Sequence, residues 1–482
     1  MRDLFLVGYF FLLFYIAFYG AHLYWLIRLY LKHRHERYPT PPPADKLPVV
    51  TVQLPIYNER YVVTRLIRSI TAFDWPKDRL EIQVLDDSDD DTSTRAADEV
   101  ARWQAEGFDI HHIRRSHRTG FKAGALADGM TSARGEFVAI FDADNVPHPD
   151  FLNKTIPHFQ NDRIGLVQAR WSFLNRDESL LCRAQALFLD SHFYIEQAAR
   201  SRGGLFMNFN GTAGVWRAAA ITEAGGWQSD TLTEDLDLSY RAQMAGWRMR
   251  FLEDVEVPTE LPSSIRAFKA QQFRWTKGAI ETGRKVLGKL IRSDQPVRIK
   301  LASCWHLTQK TIALALLLLS IMLVPALYIR AEGGMLKLLL IDLPIFLLGT
   351  GSMSLFYSLA YRRSKQAGTA ITNLVLPVLT SIGIALSVNN SLAIIAALTG
   401  RHKSFVRTPK TGTTGRLALS LSSDYRVPFD LSVRAELFFA CYAFGAILLA
   451  MVTGLYMSVP YLTTFAVGFT FFSYLSLRER YV

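Results

Sequence analysis

Apolar and polar positions divide this chain into two kinds of segment. Leu4 to Tyr30 is almost unbroken apolar sequence, long enough as a helix to span roughly 30 Å of hydrocarbon. A cleaved leader is the competing reading. The run is too long for a leader's apolar core and shows no clear small-residue cleavage site, so it predicts a retained anchor. Similar runs return only in the C-terminal half, at Thr311 to Ile329, Leu336 to Tyr361, Leu437 to Met457 and Tyr461 to Leu477. Ala367 to Leu398 is apolar enough to cross once, but basic clusters flank it. Arg362, Arg363 and Lys365 precede it; Arg401, Lys403, Arg407 and Lys410 follow it. One crossing would put one cluster on the wrong face, and Pro377 and the Asn389-Asn390 pair interrupt the run. It therefore reads as an interfacial or re-entrant helix, leaving about five crossings.

Between Pro48 and about Pro262 the pattern becomes short β-rich runs alternating with helical stretches. Val49 to Leu54, Leu80 to Leu85, Phe137 to Phe141 and Gly165 to Ala169 read as buried strands, with helices at Arg60 to Ala72 and Thr94 to Glu106 among them. This is the pattern of an open, mostly parallel sheet, in which ligands sit at the carboxyl ends of strands. A stiff Pro-rich linker (Pro39, Pro41, Pro42, Pro43, Pro48) joins it to the anchor. The boundaries predicted are an anchor at 1–37, a cytoplasmic α/β domain at 38–262, amphipathic interface helices at 263–300 and two membrane helices at 301–361. An interfacial segment at 362–432 and two further membrane helices at 433–482 complete the chain.

Composition agrees with a mixture. Half of the 482 residues are hydrophobic, 20% are charged, and the mean hydropathy is +0.12. These values exclude a disordered chain, a collagen and a disulfide scaffold. Cys182, Cys304 and Cys441 are far apart, without metal-ligand spacing, and read as free thiols. The net charge of +11 follows the membrane topology. Arg28, Lys32, Arg34 and Arg37 stand after the first apolar run and only Arg2 before it, which puts the α/β domain in the cytoplasm. Nucleic acid is therefore not an expected partner.

The polar residues at the strand ends carry the chemistry. The first strand runs into Pro55-Ile56-Tyr57-Asn58-Glu59, the second into Asp86-Asp87-Ser88, and Phe141-Asp142-Ala143-Asp144 ends the third. Each alone is ordinary turn chemistry. Three such clusters at successive strand ends converge on one crevice, where repulsion calls for a cation. Carboxylate oxygens with an open face suit Mg²⁺ or Mn²⁺ bridging substrate phosphates. Thr233-Glu234-Asp235 reads as a helix start with Thr233 as N-cap. Gln271, Arg274 and Trp275 share one helix face at i, i+3 and i+4, a combination suited to a pyrophosphate clamp beside an aromatic platform for a sugar. No phosphate-binding Gly-Lys-Ser/Thr loop and no Gly-x-Gly-x-x-Gly follows a strand, so ATPase and dinucleotide readings lose support.

Asp86-Asp87, Asp142-Ala143-Asp144, Thr233-Glu234-Asp235 and Gln271-x-x-Arg274-Trp275, in that order, resemble the processive membrane-bound synthases of glycosyltransferase family 2, such as cellulose, hyaluronan and mannan synthases. The resemblance is greatest to the cellulose synthase-like A and C proteins. Gln83 to Ser88, Phe121 to Gly124, Val167 to Trp171 and Phe209 to Arg217 look like theirs, and the match is dense from Thr51 to Trp275.

The resemblance implies an α/β GT-A catalytic domain, with a mixed, mostly parallel sheet, inserted in an α-helical transmembrane bundle. It implies Asp235 as general base with Glu234 beside it. A nucleotide-sugar site of Pro55, Tyr57, Glu59, Asp86, Asp87, Lys122, Asp142, Gln271 and Arg274 would follow, with Asp142 and Asp144 toward the metal. Trp275, Phe209, Asn210 and Gly211 would meet the acceptor. Phe405 to Lys410 looks like a gating loop, in which Phe405, Thr408 and Lys410 match and Arg407 replaces a valine. The implied reaction is inverting transfer of a hexose from UDP-glucose or GDP-mannose to a growing β-linked polysaccharide, coupled to export. The expected partners are the donor, a glycan or lipid acceptor and membrane lipid; accessory subunits are unknown. The membrane expected is a bacterial inner membrane, with a Golgi membrane as the other setting. The alternatives are a single-transfer glucosyltransferase making glucosyl-diacylglycerol, a dolichol-phosphate sugar synthase, which would lack the Gln-x-x-Arg-Trp helix, and a non-catalytic transporter, which has no use for four acidic clusters.

Overall fold

In the computed structural model of the chain, seven strands pair into one sheet: β1 (Val50–Ile56), β2 (Leu80–Asp86), β3 (Asp109–Arg114), β4 (Phe137–Ile140), β5 (Ile164–Phe173), β6 (Gly214–Arg217) and β7 (Arg248–Thr259). The structure describes residues 2–39, 42, 46–331, 344–345, 347–364, 372–400, 410, 412 and 431–479. The strand order is β3-β2-β1-β4-β6-β5-β7. β6 runs antiparallel to both its neighbours, and every other pairing is parallel. β1, β2 and β4 are buried on both faces; β4 is a continuous apolar run, whereas β1 and β2 also bury Thr51, Gln53, Glu81 and Gln83.

Four strands were legible from the pattern and three were not. β3 is an edge strand of sequence Asp-Ile-His-His-Ile-Arg, half exposed, with little apolar signal. β6 has four residues, and β7 mixes exposed charged with buried positions along the other edge. The expected helices form at Val63–Thr71 and Thr92–Ala105.

One apolar core fills a face of the sheet, where Val52, Leu66, Ile82, Phe141 and Phe151 meet. The other begins at Leu166 and Trp216 and continues through Phe193 and Phe251 into Leu26 of the N-terminal helix and Phe469 of the C-terminal one. The sheet domain and the helical bundle therefore share a continuous interior.

Among the described residues, four helices are long and apolar enough to cross a membrane: Arg2–His33, Val297–Ile329, Pro377–Leu398 and Ser432–Val452. The second begins earlier than expected, because Val297–Thr308 passes through a single 3-10 turn into Ile312–Ala331. Of the expected Leu336 to Tyr361 run, residues 336–343 and 346 lie outside the described residues, and its second half enters the helix Ser352–Arg363. Thr372–Leu398 is one helix, so the expected interruptions at Pro377 and Asn389 do not occur. Asn389 is buried rather than exposed at a break, and its Nδ2 donates to the carbonyl of Lys269 at 3.0 Å. That carbonyl belongs to the helix Ile265–Arg292, capped by Ser264, whose hydroxyl accepts from the Ala267 N–H.

Candidate active site

The register aligns the ends of three adjacent strands. Ile56 pairs with Asp86, and Gln53 with Ile140, so β1, β2 and β4 release their following residues side by side. Over these ends lies a cleft of about 240 Å³ lined by Tyr57, Glu59, Asp87, Asp142 and Asp144. Asp87 is held by Arg115 through both oxygens, Nε at 2.9 Å and Nη2 at 2.5 Å. Asp86 does not line the cleft. It is buried behind it, accepting from His112 Nε2 at 2.9 Å and from the Ser88 N–H at 2.8 Å. Burial alone would raise its carboxyl, but those hydrogen bonds hold it below the ordinary value.

Two lysines offset the next acids. Lys122, at the start of the helix Phe121–Met130, reaches Asp142 Oδ1 at 2.5 Å and the Gly211 carbonyl at 2.8 Å. The Asp142 N–H meets Asn145 and Thr212 side chains, fixing the turn after β4. Asp144 Oδ2 accepts from Lys410 Nζ at 2.7 Å, from the Glu260 N–H at 2.9 Å and from the Thr259 hydroxyl. Burial pushes the Asp144 carboxyl up, and Lys410 with these donors pulls it below its ordinary value. Asn58, Phe121 and Ala213 adopt positive φ (56°, 49° and 57°), each next to a lining residue. Left-handed backbone in non-glycine residues is strained, and such strain gathers at functional sites.

Glu234 and Asp235 open the helix Glu234–Met244 and face the same cleft. Thr233 occupies the N-cap position, but its hydroxyl pairs with Thr282 at 3.1 Å instead of capping. The Ile265–Arg292 helix approaches so closely here that a Cβ on Gly278 would lie 2.6 Å from Thr233. Burial pushes Asp235 up to about 7, and the neighbouring Glu234 charge adds to that. Burial raises Glu234 as well. Gln271, Arg274 and Trp275 also line the cleft, on the common helix face their spacing predicted. Burial lowers the Arg274 guanidinium to about 10, against the pull of Asp142, Glu234 and Glu59.

Most of the expected residues thus meet in one cleft: Pro55, Tyr57, Glu59, Asp87, Lys122, Asp142, Asp144, Asn210, Gly211, Lys410 and those just described. Phe209 does not. It is fully buried and packs between Trp216 and Trp227, with ring centroids 5.8 and 6.4 Å away. Phe405, Arg407 and Thr408 lie outside the described residues. Sequence reasoning missed Arg118, whose guanidinium stacks 3.3 Å from the Tyr57 ring centroid, and Glu260, which meets Arg65 at 2.6 Å. Neither carries a local motif. Trp171, also in the lining, ends a stretch already noted for its resemblance.

A group of carboxylate and imidazole atoms within 4.8 Å of one another forms elsewhere, from Glu81, Asp109 and His111. Arg134 pairs with both acids there, so a cation is already supplied. Asp142 and Asp144 fit a hard divalent ion by donor type and by lining one cleft, although a lysine already engages one oxygen of each.

Residues 48–278 match the family described as Glycosyltransferase like family 2. The chain is 45% identical over 282 residues to glucomannan 4-beta-mannosyltransferase 2 of Arabidopsis thaliana, an alignment covering 56% of this chain and 53% of that protein. It is 46% identical over 257 residues to glucomannan 4-beta-mannosyltransferase 1 of Oryza sativa subsp. japonica, covering 52% and 49%. The chain spans about half the length of the curated relatives it matches. Among solved structures, the mannosyltransferase PcManGT from Pyrobaculum calidifontis, in complex with GDP-Man and Mn²⁺, aligns with a TM-score of 0.52 and 19% identity. It covers 81% of this chain and all of that one, and the likeness is one of fold.

Proposed function

We propose that the chain, whose residues 48–278 match the family described as Glycosyltransferase like family 2, transfers a hexose from a nucleoside-diphosphate sugar to a β-linked glycan. The observation that carries this reading is the meeting of Asp142, Asp144, Asp235, Arg274 and Trp275 in one cleft. GDP-mannose is the donor we favour, because the relatives at 45% and 46% identity bear the name of β-mannosyltransferases; UDP-glucose is the competing donor.

Asp235 acts as general base. Raised toward 7, it holds a carboxylate basic enough to take the acceptor hydroxyl's proton as the oxygen attacks the anomeric carbon. We read the displacement as direct, with Asp235 as base, so that it inverts the centre and an α-linked donor gives a β product. The departing diphosphate gathers charge beside Arg274, whose burial strengthens the attraction. A divalent ion held by Asp142 and Asp144, Mg²⁺ or Mn²⁺, would offset that charge when bound. Trp275 offers the ring on which an acceptor sugar stacks, next to Arg274 on the same helix. Asp87, with Tyr57 and Arg118, forms the nucleotide end.

The α/β domain then sits in the cytoplasm, where nucleotide sugars are supplied, and the apolar helices beside it offer an export path for the product. The test is a transfer assay on purified protein in nanodiscs with labelled GDP-mannose and UDP-glucose in parallel. Each is run with and without Mn²⁺, and products are divided by ethanol precipitation and lipid extraction. Ethanol-insoluble label digested by a β-mannanase supports the reading; label confined to the lipid phase replaces it with glycolipid synthesis.

A further inference from the structure

The outward face of the N-terminal helix changes character at one depth. Leu4, Phe11, Phe18, Trp25 and Lys32 of Arg2–His33 stand seven residues apart, a spacing that returns to nearly the same helix face every two turns. Leu4, Phe11 and Phe18 are exposed, as side chains against lipid are. From Leu4 to Trp25 the helix rises about 30 Å, the thickness of the hydrocarbon layer. Trp25 therefore falls at its edge and Lys32 among the headgroups. Arg28, exposed one turn before Lys32, belongs to the same level.

The helix that begins at Val297 runs alongside in the opposite direction: Arg2 Nη2 reaches the Ile329 carbonyl at one end, and the Tyr19 hydroxyl reaches Thr308 Oγ1 nearer the other. Its Trp305 packs on Phe18 with ring centroids 5.0 Å apart, and edge-on to Trp25 at 5.9 Å. Seven residues from Trp305 toward the sheet domain stands Arg298, exposed, as Lys32 stands seven residues beyond Trp25. Further contacts agree with this juxtaposition. Arg298 Nη2 donates to the Gly204 carbonyl at 3.2 Å, and a Cβ on the adjoining Gly203 would lie 3.4 Å from Leu29 Cδ1. Arg28, Lys32 and Arg298 thus gather below a pair of tryptophans, and none of the three forms an ion pair among the described residues. Glu36, the acid that follows them on the first helix, pairs with His33 at 2.8 Å. Membrane topology accounts for basic residues after the first helix, but not for their meeting a base of the second across one groove.

We propose that this groove holds an anionic phospholipid of the leaflet facing the sheet domain, its phosphate between Lys32 and Arg298 with Arg28 beside it, and its acyl chains along Phe18 and Trp305. A lipid is the occupant rather than a free phosphate, because the basic end and the apolar wall of the groove are continuous. The inference does not depend on the transfer reaction.

The test releases the full chain from nanodiscs of phosphatidylcholine with a minority of phosphatidylglycerol, and native mass spectrometry counts the lipid retained. The wild type is expected to retain phosphatidylglycerol about tenfold above its share of the bilayer, the scale of one or two basic side chains at an anionic surface. Lys32→Gln/Arg298→Gln should bring that preference to within about twofold of the share, while Lys32→Arg/Arg298→Lys, which keeps the charge, should hold it. Arg434→Gln/Arg478→Gln removes equal charge from exposed positions on the C-terminal helix pair and should leave the preference in place. Thermal unfolding in the same discs shows that each variant is folded, and phosphatidylglycerol should raise the midpoint of the wild type but not of the Lys32/Arg298 glutamine variant. No preference in the wild type overturns the inference by removing the site. Equal losses from the two glutamine variants overturn it as well, by leaving only diffuse attraction to a basic belt.

Discussion

Lys269 and Glu436 form an ion pair between the helix Ile265–Arg292 and the helix Leu431–Val452, Nζ to Oε1 at 2.5 Å, with both side chains almost wholly buried. The same ammonium donates to Ser476 Oγ at 3.0 Å, and Glu479 accepts from the Ile265 N–H at 2.6 Å. Gln271, Arg274 and Trp275 follow Lys269 on the next turns of its helix. The wall of the cleft that carries them is therefore pinned to the apolar helices by buried charge.

Removing one partner of this pair leaves the other charged and buried. Glu436→Gln or Lys269→Met is expected to destabilise the protein by about 3–5 kcal/mol, whereas Lys269→Met with Glu436→Leu should recover most of that. Thermal unfolding in detergent measures it. Equal stability of the wild type and both single variants would remove the pair from the account.

Asp235 must be ionised to take a proton. Since burial raises it to about 7, log kcat/KM should climb as pH rises toward 7 and level off above it. Asp235→Asn should lower kcat by at least about 10²–10⁴ with nucleotide binding kept. The folded chain holds this proton to higher pH than the unfolded chain, whose carboxyl titrates near 3.8. The group's contribution to stability is thus lost between about 4 and about 7 as pH rises. Near-normal turnover in the Asn variant would remove Asp235 from its role.

Asp144 shares one oxygen among Lys410, Glu260 and Thr259, so its charge is already compensated. Chelation with EDTA should stop transfer, and Mn²⁺ or Mg²⁺ should restore it. Asp144→Asn should raise the metal concentration needed for half-maximal rate by about tenfold, a loss near 1.4 kcal/mol. Full activity in excess EDTA would exclude the divalent ion.

Gly211 combines a φ of 80° with a close approach to Asp235, because a Cβ there would lie 3.0 Å from its Oδ2. Gly211→Ala should cost about 1–2 kcal/mol of stability through its left-handed backbone. It should also lower kcat by more than tenfold by displacing the carboxylate. Kinetics and thermal unfolding on one preparation separate the two effects, and an unchanged kcat would show that the close approach does not constrain Asp235.

The readable parts of the site were those whose chemistry is local. Asp142 and Asp144 follow a buried strand, Glu234 and Asp235 begin a helix, and Gln271, Arg274 and Trp275 repeat at helical spacing, so period and turn chemistry located each. Asp86 and Phe209 carried the same kind of motif and yet point away from the cleft. Alternation cannot tell which face of a strand end meets a ligand and which meets the core. Arg118 and Glu260 were invisible because their partners, Tyr57 and Arg65, lie 61 and 195 residues away along the chain.

By itself the sequence determined the two kinds of segment, four strands of the sheet (β1, β2, β4 and β5) and the order of the acidic and clamp motifs. These rest on hydrophobic period and on short-range backbone preference, which act over a few residues. Tertiary structure alone decided that β6 turns antiparallel, that Asn389 sits in a helix contact instead of a break, and that Lys122 and Lys410 meet Asp142 and Asp144. It also decided the state of Asp235, because a carboxyl's proton affinity depends on how completely distant segments exclude water from it.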